Sequence, residues 1–377
     1  MRKIRIIFTG GGSGGHIYPI IAVAEKIKEI ARKNNLELEM EFLGSAKNYQ
    51  PILEGYGLSV KKITGSKIRR YFSLANFLEP FKFIFGLLEA LVKVFFFMPD
   101  VIFSKGGPGS FSVVLAAAFY RIPIIIHESD AVPGLTNRLS AFFAKAVGVS
   151  FKSTLDFFGK KSALTGNPVR SDLLENRDEK EFAKRYWGFN PKKPLILVLG
   201  GSQGSERIND FIIQNSPEIL KKYQVLHQTG ELNYSQAKGE LKFIAEHLNE
   251  EIKKGYQIVS YFKKDLKEAL AAADIVVSRA GAGSVFEIAS FGKPAILIPL
   301  SESAGDHQRF NAYQFSSFGA GLVLEESNLL PNVFTVMLKK ILENKEKYQK
   351  MSELSQNFFI PNSAEMLAGE VLRIALK

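Results

Sequence analysis

The strongest constraint on this chain is a pattern that it carries twice. A short β-branched run at residues 4–8 meets Gly10-Gly11-Gly12-Ser13-Gly14-Gly15-His16. A helical segment over 18–33 follows, with Ile20, Ile21, Ala24, Ile27 and Ile30 on one face. In mid-chain the run at 195–199 meets Gly200-Gly201-Ser202-Gln203-Gly204, and a helical segment begins near Arg207. A second unit recurs in the same order. Residues 100–104 lead into Lys105-Gly106-Gly107-Pro108-Gly109-Ser110, a helix, Ile122-Pro123 and a strand at 124–126. Residues 274–278 lead into Arg279-Ala280-Gly281-Ala282-Gly283-Ser284, a helix, Lys293-Pro294 and a strand at 295–298. Strand, glycine loop and helix repeated in register predict two doubly wound α/β domains facing each other across a cleft.

The length, 377 residues, suits two such domains. Turn-forming Thr165-Gly166-Asn167-Pro168 put the boundary between 165 and 166. Residues 334–377 read as helices, and the last of them, from about 358, is expected to return to the first domain. That leaves 166–357 for the second.

A hydrophobic share of 46% is that of a globular protein. There is no cysteine, which excludes disulfides and thiolate metal sites and fits a reducing cytoplasm. The start of the chain has too short an apolar run for a signal segment and reads as a buried strand. The most apolar region, 77–98, is interrupted by Glu79, Pro80, Lys82, Glu89 and Lys93, so no bilayer-spanning segment is expected. A net charge of +11 favours anionic partners: nucleic acid, nucleotide phosphates or an acidic lipid surface. No helix-turn-helix, zinc-finger or RNP-like motif supports nucleic acid.

A glycine loop between strand and helix lets backbone N–H groups approach an anion at a helix N-terminus. Gly10, Gly12 and Gly15 have dinucleotide-fingerprint spacing, but that reading needs an acidic residue after the second strand. Here Gly44-Ser45 stand in its place. Two facing glycine-loop domains suit instead a reaction between two phosphate-bearing molecules, such as a nucleotide sugar and a pyrophosphate-linked acceptor.

The motif set continues through Ser104-Lys105-Gly106-Gly107, His127-Glu128 with Pro133-Gly134-Leu135-Thr136-Asn137, and Gly166-Asn167-Pro168-Val169-Arg170. It goes on through Gly200-Gly201-Ser202-Gln203-Gly204, Arg279-Ala280-Gly281 with Glu287, and Asp306-His307-Gln308 with Asn311. In this order the motifs resemble glycosyltransferase family 28, the peptidoglycan N-acetylglucosaminyltransferases, from residue 1 to about 325. The resemblance implies a GT-B fold and an inverting, metal-independent transfer. N-acetylglucosamine would pass from UDP-N-acetylglucosamine to the muramyl 4-hydroxyl of lipid I, making lipid II at the inner face of the cytoplasmic membrane. Carried over residue by residue, Ser202 and Arg170 would hold the donor phosphates, Glu287 the ribose and Phe262 the uracil. Gln308, Asn311 and the backbone at Ala282 would grip the sugar. Ser13, Gly14, Gly15, Gly106, Gly107 and Asn137 would form the acceptor site. Many members carry Gln-Asn where this chain has Ser129-Asp130, replacing an amide donor by a carboxylate.

His16 ends the first glycine loop at a helix start, where the dipole favours the neutral ring that a general base requires. Asp130 and Glu128 are the competing candidates. His127, after a buried run, reads as a structural hydrogen-bonder. Gln308 is the sugar contact rather than His307, and His227 and His247 lack supporting neighbours. With no Asp-x-Asp signature and no close histidine spacing, neither metal nor other cofactor is called for. Arg170, Ser202 and the helix after Gly204 could stabilise departing UDP instead. Residues 68–98 interleave Arg69, Arg70 and other cations with Phe77, Phe81, Phe85 and further aromatics, too many for one buried stripe. They suit a helix lying on anionic lipid. The competing functions are a UDP-N-acetylglucosamine 2-epimerase, a glycolipid transferase of the same fold, and a non-catalytic UDP-sugar-binding membrane scaffold.

Overall fold

The structure, a computed structural model, describes residues 3–66, 77–201, 204–246, 253–262 and 264–377. Contacts divide the chain into two compact units, Met1–Arg170 with Ile360–Lys377, and Ser171–Phe359. The 165–168 turn lies inside the first.

The first unit is built on a seven-stranded parallel sheet, in the order β3-β2-β1-β4-β5-β6-β7. Its strands are β1 (Lys3–Thr9), β2 (Glu37–Leu43), β3 (Ser59–Lys61), β4 (Val101–Ser104), β5 (Ile124–Glu128), β6 (Ala146–Val149) and β7 (Ser162–Leu164). Successive side chains of β1 enter opposite layers. Ile6 and Phe8 join Val101 and Phe103 on one face, while Ile7 joins Ile102 and Ile126 on the other. Both faces are covered, which is why these strands read as unbroken apolar runs.

The second unit repeats the plan with six parallel strands in the order β10-β9-β8-β11-β12-β13. These are β8 (Leu195–Leu199), β9 (Gln224–Gln228), β10 (Tyr256–Val259), β11 (Ile275–Ser278), β12 (Ala295–Leu297) and β13 (Gly321–Val323). In both sheets the chain order reverses between the first and fourth strands of the unit: β1 beside β4, and β8 beside β11. The glycine-rich loops all leave the C-terminal ends of these four strands. Ligands of doubly wound sheets bind at such reversal points.

The last helix, Ser363–Ala375, does return to the first unit. Leu367, Ala368, Val371 and Leu372 are buried in one core with Ile17, Ile20, Ile21 and Ala24 of helix Gly14–Lys33. The chain's end thus covers one face of the first sheet. Leu367 is 2% exposed. Leu367→Ala is expected to lower the unfolding free energy by about 2–5 kcal/mol, read from urea titration of the purified chain.

Helix Glu79–Phe97 turns its small residues inward. Gly86, Ala90 and Val94 are buried, and a Cβ at Gly86 would collide with the Thr64 carbonyl. The opposite side carries Phe81 (62% exposed), Phe85 (63%), Leu88, Val92, Phe95 and Phe96 (80%), with Phe77 just before the helix (77%). Arg69 and Arg70 lie outside the described residues. Among those described, no helix is long and apolar enough to cross a membrane.

Candidate functional site

In the first unit two glycine loops meet at the reversal point. Lys105 N–H donates to the Thr9 carbonyl, and Gly11 N–H donates to the Gly106 carbonyl at 2.9 Å, which stitches the loops together. Gly106 and Gly107 have φ of +76° and +88°. A Cβ on Gly107 would sit 2.9 Å from Gly11 N and 3.1 Å from His16 Nε2, and one on Gly106 would overlap the Asn137 amide. Only glycine permits this approach. Gly15 differs: a Cβ there would meet nothing. Its exposed backbone opens helix Gly14–Lys33, in whose first turn the His16 and Ile17 N–H groups donate to the Ser13 carbonyl. Gly14 is backed by Tyr49 and Tyr18, whose rings meet edge to face.

His16 lies partly exposed between these loops. Its Nδ1 pairs with Ser13 Oγ at 2.8 Å, so Ser13 serves the ring rather than capping the helix. Burial, followed by the nearby Lys105 ammonium, lowers its pKa to about 4, with Asp130 pulling the other way. The ring is therefore neutral near pH 7. Glu128, the buried end of β5, is fully engaged. One oxygen accepts from Asp130 N–H at 3.0 Å; the other accepts from Gly134 N–H at 3.0 Å and Asn137 Nδ2 at 2.9 Å. Burial and the neighbouring Asp130 raise its pKa against those donors. Glu128 organises the loop after β5 and seats Asn137 against Gly106.

Beneath the loops Lys105 Nζ donates to His127 Nδ1 and Ser129 Oγ. His127 Nε2 lies 2.9 Å from the Gly166 carbonyl, which fixes the Nε2–H tautomer and confirms His127 as a structural hydrogen-bonder. Arg170 places its guanidinium 4.3 Å from the centre of the Tyr18 ring, within the first unit. Its expected partner Ser202 lies outside the described residues.

In the second unit Gly204 has φ +80°, and a Cβ there would overlap the Thr229 carbonyl. Gln228, ending β9, donates to the Gly201 carbonyl at 3.0 Å and accepts from Phe262 N–H at 3.1 Å. It thus ties the β8 loop to the segment carrying Phe262, whose buried ring stands edge-on to Trp187. Helix Ala282–Ser290 starts at the second loop with no acidic residue in its first turn, carries Glu287 partly exposed, and has open space at Gly281 and Gly283. Gln308 Oε1 accepts from Leu300 N–H at 3.1 Å, and buried Asn311 donates to the Ala280 carbonyl at 3.1 Å. Asn311 thus fixes the loop before Ala282.

Sequence reading missed what braces these loops. Buried Arg279 reaches Ser205 Oγ at 2.7 Å, the Ile298 carbonyl at 3.2 Å and Glu326 at 2.5 Å, and Glu326 also holds Arg207 at 2.9 Å. Arg279 stood in a quoted motif, but no spacing pointed to Gln228 or Glu326.

Two parallel glycine-loop sheets, with the last helix returning to the first, define a GT-B-type protein. Comparison with known proteins narrows this. The Glycosyltransferase family 28 N-terminal domain model matches residues 6–149, and the Glycosyltransferase family 28 C-terminal domain model matches 195–367. The chain is 39% identical over 352 residues to the UDP-N-acetylglucosamine--N-acetylmuramyl-(pentapeptide) pyrophosphoryl-undecaprenol N-acetylglucosamine transferase of Clostridium tetani, covering 92% of each chain. The crystal structure of Acinetobacter baumannii MurG superposes with a TM-score of 0.74 at 23% identity, covering 98% of this chain and 99% of that one. The Neisseria meningitidis UDP-GlcNAc 2-epimerase bound to UDP-GlcNAc superposes at 0.67 and 16% identity, covering 99% and 100%. At those identities the structures show the shared fold alone. The chain belongs to glycosyltransferase family 28.

The histidines make the fold acid-labile. His16 titrates near 4, buried His227 near 3, and His127 well below its ordinary range, in each case chiefly through burial. An unfolded histidine binds its proton near 6.5. Below that pH the unfolded state holds more protons, so stability falls as pH drops from 6.5 toward 4. The urea midpoint is expected to be lower at pH 5 than at pH 7.5.

Proposed function

We propose that this chain transfers N-acetylglucosamine from UDP-N-acetylglucosamine to the 4-hydroxyl of a muramyl sugar on a prenyl diphosphate, inverting the anomeric centre. The support is the family, the activity for which a relative 39% identical over nearly the whole chain is named, and one local observation: a neutral histidine at the mouth of a glycine-loop helix start. The first unit takes the acceptor, its diphosphate against the exposed helix start at Gly15, with Gly14, Gly106, Gly107 and Asn137 beside it. The second takes the donor, with the helix start at Ala282, Glu287, Gln308, Asn311 and Phe262 around it, and Ser202 on its phosphates.

In the reaction the acceptor oxygen bonds to C1 of the sugar while the C1–phosphate bond breaks and UDP leaves with the electron pair. The hydroxyl proton passes to His16. A pKa near 4 makes a weak base. A bound diphosphate brings negative charge beside the ring and raises its pKa toward the working range. Leaving UDP meets preorganised N–H groups at helix starts, which stabilise charge without reorganising.

The exposed apolar side of helix Glu79–Phe97 suits the bilayer that holds a prenyl substrate. We place the protein at a membrane surface on this ground, and at the cytoplasmic face by its family. Phe81→Ser with Phe85→Ser is expected to reduce co-sedimentation with anionic vesicles while leaving transfer to a water-soluble acceptor within about twofold. Undiminished vesicle binding would remove the assignment of this face.

The catalytic reading is tested with labelled UDP-N-acetylglucosamine and a water-soluble lipid I analogue. A lipid-linked disaccharide is expected, and His16→Ala should lower kcat by about 10²–10⁴-fold with little change in KM for the donor. Epimerised sugar without acceptor, or UDP binding with no turnover, would give the function to the epimerase or scaffold alternative.

A further inference from the structure

The transfer as described makes no use of the buried lysine under the first glycine loops. Lys105 is 2% exposed, yet its ammonium stands among His127, Glu128, Ser129 and Asp130. A lysine is seldom so buried unless its charge is needed. Its main chain is pinned to β1 through the Thr9 carbonyl, and its side chain reaches across to the end of β5. From there two arms continue. His127 Nε2–H donates to the Gly166 carbonyl, and Ser129 Oγ donates to Asn167 Oδ1 at 3.2 Å. One side chain thus ties three loops into a single buried brace. The two residues after it, Gly106 and Gly107, form the wall against which Asn137 and His16 rest.

We propose that Lys105 is a positioning residue of the transfer: its ammonium holds the His127–Ser129 segment and the Gly166–Asn167 turn in one brace that sets the Gly106–Gly107 wall beside His16. The brace also explains Ser129-Asp130. A hydroxyl accepts from an ammonium while donating onward, and the Asp130 carboxylate balances the buried cation. The inference rests on His16 acting as the base.

The charges facing each group fix the pH consequence. Lys105 is faced by His127 and Glu128 from β5, Asp130 after it, and His16 at the helix start. His16 is faced by Lys105, which opposes its protonation, and by Asp130, which favours it. Removing the ammonium leaves burial alone to lower the His16 pKa against Asp130, so His16 should titrate higher.

The test is Lys105→Met, similar in length but without charge or donors, beside Ser129→Ala, which keeps the charge and cuts one arm. Both are made in the full chain. Transfer to the soluble acceptor is measured, with imidazole titrations by NMR in the ligand-free protein assigned through His16→Gln. Lys105→Met is expected to lower kcat by about tenfold or more, keep KM for UDP-N-acetylglucosamine within roughly twofold, and move the His16 titration upward. Ser129→Ala should lower kcat less and leave that titration in place. Wild-type kcat in Lys105→Met, or a loss matched by loss of folded protein with His16 unmoved, would overturn the proposal. Should Lys105→Met fail to fold, an unimpaired Ser129→Ala would overturn it. Absence of transfer by the wild type would sink the functional reading, whereas the ligand-free titration still reads the coupling of Lys105 to His16.

Discussion

The first unit depends on how closely two pieces of backbone approach each other. Gly11 N–H donates to the Gly106 carbonyl, and Gly107 lies against Gly11 and the His16 ring at distances that leave no room for a Cβ. This contact lies where the sheet order reverses, between β1 and β4. It fixes His16 beside the exposed helix start at Gly15. A side chain at either glycine would part the loops, and the ring would lose its wall. The positive φ values of Gly106 and Gly107 belong to the same constraint, since a short turn out of β4 must bring its carbonyl back to β1.

Both units share one plan, yet their loops are stabilised by different chemistry. In the first, the space under the loops holds ionisable groups: Lys105, His127 and Glu128, each moved from its ordinary titration range mainly by burial. In the second, an Arg279–Glu326 pair and the Gln228 amide fix the loops, and helix Ala282–Ser290 begins with open space around its glycines. The first arrangement suits proton handling beside an anion. The second suits a rigid cradle for a nucleotide diphosphate.

Much of this was legible in the sequence because it rests on local patterns. The runs at 195–199, 274–278 and 295–298 lie within a residue of β8, β11 and β12, since strands covered on both faces must be apolar throughout. The first helix starts at Gly14, ahead of its periodic segment, because glycines give no apolar signal while the Ser13 carbonyl already accepts from His16 and Ile17 N–H. The apolar aromatics of 77–98 were visible. Which of them face outward was decided by Gly86, Ala90 and Val94, whose packing against Thr64 and the core no spacing rule reveals. The brace around Lys105 and the Arg279–Glu326 pair were illegible for one reason: their partners lie far apart in the chain and meet only when the parallel strands align.

The proposed transfer rests on a division of labour, with the nucleotide on the second unit and the diphosphate acceptor on the first. The most direct measurement is a crystal structure with UDP-N-acetylglucosamine bound. The nucleotide is expected at the β8–β11 reversal point, against the glycine loop after β8 and the helix start at Ala282. A nucleotide lodged instead against Gly10–Gly15, beside His16, would contradict it.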